Sequence, residues 1–268
     1  MFPNAPLAYV TVEVRFPGDV AQPIAPVVQR AFRDSLGEDW VVEQITQSSL
    51  AISIQSGMAP AQTGQTTKVP RFTNRARTWA VVATASSLVV ETTEYRHWPE
   101  FQSVLERALV ACSGILNPEG VVRVGMRYID EIRIPTADDF HPIVWSEWLA
   151  PSLFAPEMID MSAEGFQPLT WTGAAQFDTG VDRQLVLRYG PNNGYAVNPA
   201  GPLRRHNPPL PGPIFVLDFD SFWQPSEIPA FSPADLMTTC EELRNPMRTL
   251  FDRLIPEKLL DEVFRKEA

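Results

Sequence analysis

The chain has 268 residues, 44% of them hydrophobic, and carries 22 Lys and Arg against 32 Asp and Glu, which gives a net charge of −10. This length suits one large domain or two packed halves with an ample core, and no apolar run approaches the roughly 20 residues that a membrane-spanning helix needs. The acidic balance disfavours nucleic acid as the main partner, because phosphate binding requires concentrated Lys and Arg.

The first half of the chain alternates between strand and helix patterns. The opening residues lack the charged and apolar regions of a secretory signal, so we expect a cytoplasmic protein with no membrane partner. Apolar residues alternate over 8–16, which predicts a strand with one apolar and one polar face. Helical spacing predicts helices over 23–37 and 97–116. Further strands are predicted over 40–55, 78–85, 86–95 and 121–135.

Residues 55–77 are rich in Gly, Pro, Thr and Gln, and we interpret them as a long loop. The segment contains four basic residues and no acidic one, which makes it the most basic stretch of an acidic chain. A weak hypothesis is nucleic-acid contact through this loop. The four basic residues are Lys68, Arg71, Arg75 and Arg77.

The second half has a similar but looser pattern. A short helix is expected over 145–154, and the proline-dense stretch 196–213 suits neither a helix nor a central strand. A long helix should begin at Ser232, an N-cap residue followed by proline, and Pro246 should kink or split it. Strands are predicted over 170–177, 183–190 and 213–223, and a last short helix over 257–266.

One plan occurs twice along the chain. In each case two strands, the second ending in an aromatic residue, precede an amphipathic helix. The sequence therefore predicts the α+β class, with antiparallel sheets, helices packed on one face and two similar halves at 1–135 and 136–268.

No complete catalytic or cofactor motif is present. The chain has no G-x-S-x-G elbow, no phosphate-binding P-loop and no G-x-G-x-x-G turn. Its three histidines lack zinc-binding spacing, although His141 has Asp138 and Asp139 nearby. Cys112 and Cys240 lie in apolar helical patterns and read as buried thiols. We therefore predict no catalytic residue, no metal and no cofactor, and leave enzymatic activity open.

Two aspartates on one strand form the first candidate binding feature. Asp218 and Asp220 point to the same side of a strand, about 7 Å apart by strand rise. Such a pair could hold a divalent cation or share an acid–base role. The alternative is that Phe215, Leu217 and Phe219 face the core while both aspartates face water.

The strand over 121–135 holds the second feature. Its polar face carries Arg123 and Arg127, which predict either a solvated face of ion pairs or an anion site on an open sheet. Its apolar face includes Tyr128 and is interrupted by Asp130. A carboxylate on a buried face is unfavourable without a partner, so we expect an arginine or backbone amides beside Asp130.

Arg204 and Arg205 form the third feature, within the proline-dense stretch. They could clamp an anion beside a recognition segment or lid. The alternative is that this stretch is a stiff connector between two strands.

Three sequence patches also carry a family resemblance. Asn4-Ala5-Pro6-Leu7 before an amphipathic strand, the segment 94–105 and Gly125-Met126-Arg127-Tyr128-Ile129-Asp130 resemble a sporadically distributed, uncharacterised family of bacterial proteins of about this length. The chain departs from that family at Met126 and Asp130, where Leu and Asn are usual. The resemblance implies no catalytic residue, and its patchy distribution suggests accessory or defence-associated genes.

These observations leave two function hypotheses. The first is a non-catalytic cytoplasmic binding protein whose partner is another protein, such as a regulatory or neutralising subunit of an accessory bacterial system. The second is a small-molecule, anion-binding protein or an enzyme with a cleft on the sheet. The candidate binding residues are Arg127, Tyr128, Asp130, Asp218, Asp220, Arg204 and Arg205.

Overall fold

A computed structural model describes residues 4–18, 20, 25–53, 61–134, 143–154 and 171–266. Its helices are α1 (Pro26–Leu36), α2 (Trp98–Ile115), α3 (Pro233–Leu254) and α4 (Glu257–Leu259), the last continuing as a π-helical turn over Leu260–Phe264. Two single 3-10 turns occupy Trp145–Glu147 and Pro151–Leu153. The strands are β1 (Leu7–Arg15), β2 (Trp40–Ser53), β3 (Ala61–Asn74), β4 (Trp79–Ala83), β5 (Ser87–Thr92), β6 (Arg123–Ile132), β7 (Gly173–Gly180), β8 (Arg183–Gly194) and β9 (Gly212–Trp223).

All these strands join one antiparallel sheet in the order β2-β3-β4-β5-β1-β6-β9-β8-β7. Strands β1 to β5 occupy one side of the sheet and β6 to β9 the other. The two sides meet where β1 pairs with β6, from Leu7–Asp130 to Arg15–Arg123. Because antiparallel strands and helices share one core, the predicted α+β class is confirmed.

The helices cover one face of the sheet. On β1, the side chains of Val10, Val12 and Val14 alternate into the core and are at most 1% exposed. Helix α2 packs on β5, α3 packs on β6 and β9, and the two helices contact each other. Helix α1 packs on α2 at the outer side. Within the described residues, no helix is both long enough and apolar enough to cross a bilayer.

Helix starts follow the capping chemistry of the sequence. The His97 side chain accepts a hydrogen bond from the Glu100 N–H at the start of α2. Ser232 caps α3 through the Asp235 N–H, as predicted. Both helices have proline in the first turn, where a missing N–H is tolerated.

The predicted loop over 55–77 is wrong for most of its length. Residues Ala61–Asn74 form β3, which pairs with β2 from Trp40–Asn74 to Ser53–Ala61, and 54–60 lie outside the described residues. The threonines and valine of this stretch favour strands, and the partner strand supplies the ladder. Pro70 is tolerated because only Arg71–Thr73 of β3 pair with β4, so the missing N–H lies beyond that contact.

Pro246 does not split the long helix, contrary to expectation. Helix α3 continues through it from Pro233 to Leu254. The helix is held by buried Leu243 and Met247 on either side of the proline. Packing on the sheet therefore outweighs the local penalty of a proline in a helix interior.

The proline-dense connector between β8 and β9, which we call the strap (195–211), is tied to the end of the sheet. The Glu131 side chain, 1% exposed, accepts hydrogen bonds from the Ala196 and Val197 N–H groups, both at 2.9 Å. The strap also reaches the half of the sheet formed by β1 to β5, where the Arg204 N–H donates to the Arg77 carbonyl. These hydrogen bonds hold the strap in place, although the strap forms almost no β-ladder of its own.

Candidate functional site

The face of the sheet on which no described helix packs, called here the uncovered face, carries many ion pairs. Arg71 pairs with Glu91 at 2.9 Å, and the Tyr9 hydroxyl donates to the same carboxylate. Arg123 lies 3.2 Å from Glu13. Its guanidinium fills the space above Gly125 and contacts the Phe222 ring. These contacts favour the first of the two interpretations of this strand's polar face, the face of ion pairs.

Arg127 and Asp218 belong to this array. Arg127 donates from Nε and Nη2 to the two Asp218 oxygens at 2.7 and 2.8 Å, the bidentate geometry of strong ion pairs. Arg188 lies 4.0 Å from the same carboxylate, and Asp220 lies 3.6 Å from Arg123. The charges that the sequence offered for an anion or cation are therefore compensated by each other.

The alternation of β9 explains this arrangement. Phe215, Leu217 and Phe219 are buried in the core, as the alternative interpretation predicts. Asp218 and Asp220 point to the uncovered face. A shallow hollow of about 310 Å³ lies beside Arg127 and Asp218, but the bidentate pair occupies its polar groups.

The two strap arginines are not brought together into a clamp. Arg205 donates to Glu131 at 2.6 Å and is largely covered. Arg204 is exposed, and its carbonyl accepts a hydrogen bond from the Thr93 hydroxyl. Arg205 is thus a counter-ion for a buried glutamate.

The basic stretch around β3 is also largely neutralised. Arg71 pairs with Glu91, Arg77 with Glu43 at 2.8 Å, and Arg75 lies 3.9 Å from Asp39. These pairs remove most of the positive charge that a phosphate backbone would need. His141, with Asp138 and Asp139, lies outside the described residues.

A cleft on the covered side holds the remaining candidates, Tyr128 and Asp130. This Asp130 cleft, of about 460 Å³, lies between the start of β1, β6, β9, the start of α2 and α3. Five aromatic side chains line it, together with three arginines. The aromatic residues are Tyr95, Trp98, Tyr128, Phe219 and Phe251, and the arginines are Arg96, Arg244 and Arg248.

Asp130 lies at the inner wall of this cleft and is 4% exposed. In the ladder it stands between Leu7 of β1 and Leu217 of β9. A β-bulge between Leu7 and Tyr9 shifts the register of β1 at this point. Such bulges are frequent next to active sites. The bulge places Leu7, rather than Ala8, opposite Asp130.

Among the described residues, no hydrogen bond or ion pair to the Asp130 carboxyl is found, so the expected arginine or amide partner does not lie in the part of the chain that the structure describes. Burial alone raises the pKa of Asp130 to about 8. The carboxyl therefore carries its proton at neutral pH, which avoids burying an unpaired charge. The carboxyl faces the open space of the cleft.

Three further polar atoms of cleft-lining residues lack a hydrogen bond of normal geometry to described residues. They are the Tyr128 hydroxyl, the Trp98 Nε1–H and the Arg244 Nε–H, all buried. Tyr95 and Arg244 lie beside the Tyr128 hydroxyl, and burial raises its pKa well above the ordinary range. The Arg244 guanidinium stacks over the Trp98 ring at 5.2 Å. Unsatisfied buried groups are rare in folded proteins and call for an explanation.

The other charges of the cleft are paired. Arg96 contacts Glu94 at 2.9 Å and Glu100 at 3.7 Å. Arg244 lies 3.5 Å from Glu241, and Arg248 lies 3.9 Å from Asp252. Asp130 is therefore the charged residue of the cleft that has no opposite charge among the described residues.

The structure separates the seven candidate residues into three places. Arg127, Asp218 and Asp220 share the uncovered face, Arg204 and Arg205 lie in the strap, and Tyr128 and Asp130 share the cleft. Sequence reasoning missed Trp98, Arg244 and Phe251. The segment His97-Trp98-Pro99-Glu100 signals a helix start, which could have directed attention to Trp98.

A scan of protein-family models and a search of curated proteins gave no match to this chain.

Proposed function

We propose that the chain is a binding protein whose small-molecule ligand occupies the Asp130 cleft. The observation that carries this proposal is the buried Asp130 carboxyl, which has no partner among the described residues and lies at the inner wall of an aromatic cleft. Small-molecule sites are mostly apolar concavities with a few converging polar groups. The proposal keeps the small-molecule part of the second sequence hypothesis, leaves its anion aside, and places the site on the covered face of the sheet.

The lining supports recognition of a flat or apolar ligand body. Tyr95 and Tyr128 have ring centroids 5.8 Å apart, and Phe219 packs 6.4 Å from Phe251. Rings at these separations offer edges and faces to a third ring. The polar atoms of Tyr128 and Asp130 then fix the orientation of the bound molecule.

Blocking the cleft tests the proposal. Ala5 lines the rim and is exposed, so Ala5→Trp fills the opening without removing a core contact. A fragment library screened by ligand-observed NMR should give hits that bind the wild type and lose binding in A5W. Ala230→Trp, at an exposed alanine away from the cleft, is the matched control and should retain the hits. Hits that are equal in both variants, or no hits, would contradict the proposal.

A second candidate function is binding of another protein, favoured by a two-stranded extension of the sheet. From Gln44–Pro70 to Ser53–Ala61, β2 and β3 pair only with each other among the described strands. We call this extension the β2–β3 arm. Its outer strand edges leave backbone groups unpaired, and such edges accept an added strand.

Removing the arm tests the second candidate. Replacing residues 47–67 by Asn-Gly joins Thr46 to Lys68, which face each other in the ladder. The variant should fold as the wild type does, by circular dichroism, but lose co-purification with the products of neighbouring genes. A5W is the matched control and should keep the partner. Co-purification unchanged by the arm deletion would contradict this role.

We also propose, from the sequence resemblance, a cytoplasmic setting in an accessory or defence-type bacterial system. The two-halves plan is a further proposal. It is supported by the sheet order, in which β1 and β6 each pair on their outer side with the last strand of a meander, β5 and β9. In each case the meander leads into a helix, α2 or α3, on the same face. In this plan the second half begins at β6, rather than at residue 136 as the sequence predicted.

A further inference from the structure

We infer that the ligand of the Asp130 cleft is a small organic cation, a protonated amine on an apolar or aromatic body, held by the Asp130 carboxylate. This inference rests on the proposed function and names the chemical class of its ligand. The geometry that carries it is a 4% exposed carboxyl that faces the cleft and has no described partner.

The charge of the neighbourhood favours a cation. Arg96, Arg244 and Arg248 bring three positive charges to the cleft. Each of them already contacts a carboxylate, and Asp130 adds one that is not compensated. Counting those neighbours, three cations stand against four carboxylates, Glu94, Glu100, Glu241 and Asp252, before Asp130 itself ionises. An ammonium group supplies the missing positive charge, whereas an anion would add to the excess.

The aromatic lining favours the same class. A cation within about 6 Å of a ring face is attracted by the ring's electron density, most strongly where water is excluded. Tyr95, Tyr128 and Phe219 surround the same space as Asp130. The carboxylate at the inner wall would form an ion pair with an ammonium head, and the surrounding rings would contact both the head and the apolar body of the ligand.

Binding then moves one proton. An amine has an ordinary pKa near 10 and arrives protonated, while Asp130 must release its own proton to become the counter-ion. Below about pH 8 each bound ammonium therefore displaces one proton, and affinity rises as pH rises toward 8. The charged and titratable groups lining the same cleft are Arg96, His97, Tyr128, Arg244, Arg248 and Asp252. His97 is the histidine among them, and an Asp130→Asn variant retains it.

Three probes with the same ring test the inference. 2-Phenylethylamine is the cation, 2-phenylethanol the neutral molecule and 3-phenylpropionate the anion. Their affinities are measured by calorimetry and ligand-observed NMR at pH 6, 7 and 8 on the wild type, Asp130→Asn and Ala5→Trp. The wild type should bind the amine at least tenfold more tightly than the alcohol at pH 8. Amine affinity should fall about tenfold per pH unit on going from pH 7 to 6.

The variants decide the source of the preference. In D130N the amine should lose its advantage and its pH dependence, while the alcohol is unchanged, and A5W should weaken both. Amine binding that equals or falls below that of the alcohol or the anion, fails to be detected, or is unaffected by D130N overturns the inference. If the fragment screen still gives hits that A5W blocks, the proposed function stands with a different ligand class. If A5W blocks no hit, the proposed function fails as well.

Discussion

Asp130 and Asp218 show how one strand position decides the role of a carboxylate. Asp218 points to the uncovered face, where Arg127 meets it in a bidentate pair. Asp130, on the neighbouring strand and the opposite face, lies between two leucines. Alternation therefore predicts which face each aspartate takes. It does not predict the partner, because the groups around Asp130 come from distant elements.

The buried Asp130 carboxyl makes a prediction about stability and pH. Its pKa is about 8 in the folded chain and about 3.9 when unfolded, so the folded state binds more protons between these values. Stability of the wild type should therefore fall as pH rises from 5 to 8, relative to Asp130→Asn, by up to roughly 1.4 kcal/mol per pH unit. Urea unfolding of both proteins at four pH values measures the difference.

Asp39 offers the control for this experiment. Its side chain is 92% exposed, with only a 3.9 Å contact to Arg75. Asp39→Asn should keep the pH dependence of the wild type. Parallel stability curves for the wild type and D130N would show that Asp130 is not protonated by burial.

At the scale of elements, the strands with strong alternation and the capped helices were predictable. The pattern of β1 and the stripe of α2 specify their type locally, because each buries one face. The second strand of the arm was missed, since Gly, Pro and Thr at 59–70 read as turn chemistry when no partner strand is visible. The split predicted at Pro246 was wrong for the same reason, because the contacts that keep α3 helical through the proline come from the sheet.

The strap gives a prediction about Glu131. Substituting Gln keeps the shape but removes the charge that is shared by Arg133, Arg205 and two backbone N–H groups. Glu131→Gln should destabilise the fold by about 2–4 kcal/mol, since an uncompensated arginine is left at a covered position. The strap should also become cleavable by protease, and the Ala196 and Val197 amides should exchange faster.

The exposed pair of Arg33 and Asp34 is the control for that substitution. Asp34→Asn removes a contact of 3.1 Å at the surface, so it should change stability by less than about 1 kcal/mol. A strap that stays resistant to protease in E131Q would show that its other contacts suffice.

Pro246 supports a prediction of the opposite sign. Pro246→Ala restores the N–H that can donate to the Glu242 carbonyl, and it removes the clash of the proline ring with that group. We expect a gain of about 1–3 kcal/mol in the free energy of unfolding, measured with denaturant. Pro233→Ala is the control at the first turn of α3, where proline is favourable. No gain in P246A, or an equal gain in both, would contradict the explanation.

At the scale of the whole molecule, the strand order is what the sequence could not provide. The hairpins β4–β5 and β7–β8 follow from proximity along the chain. The central pair joins Leu7 to Asp130 and Arg15 to Arg123, and no local pattern encodes a contact between such distant segments. The Asp130 cleft depends on that pairing, because it forms where the start of β1 meets β6. Its site could be placed only once the sheet was known.

The same order predicts how stability is distributed. Strands β1 and β6 are paired on both sides, and α2 and α3 pack on β5, β6 and β9, whereas β2 and β7 are the edges of the described sheet. Amides of β1, β5, β6 and β9 should open only with global unfolding, so they should exchange at least about a hundredfold more slowly than those of β7 and the arm. Native-state hydrogen exchange measures this gradient. Protection in the arm equal to that in β1 would mean that a partner or a second copy covers the arm. Repeating the measurement on the variant that lacks residues 47–67 would show whether β1 loses protection when the arm is removed.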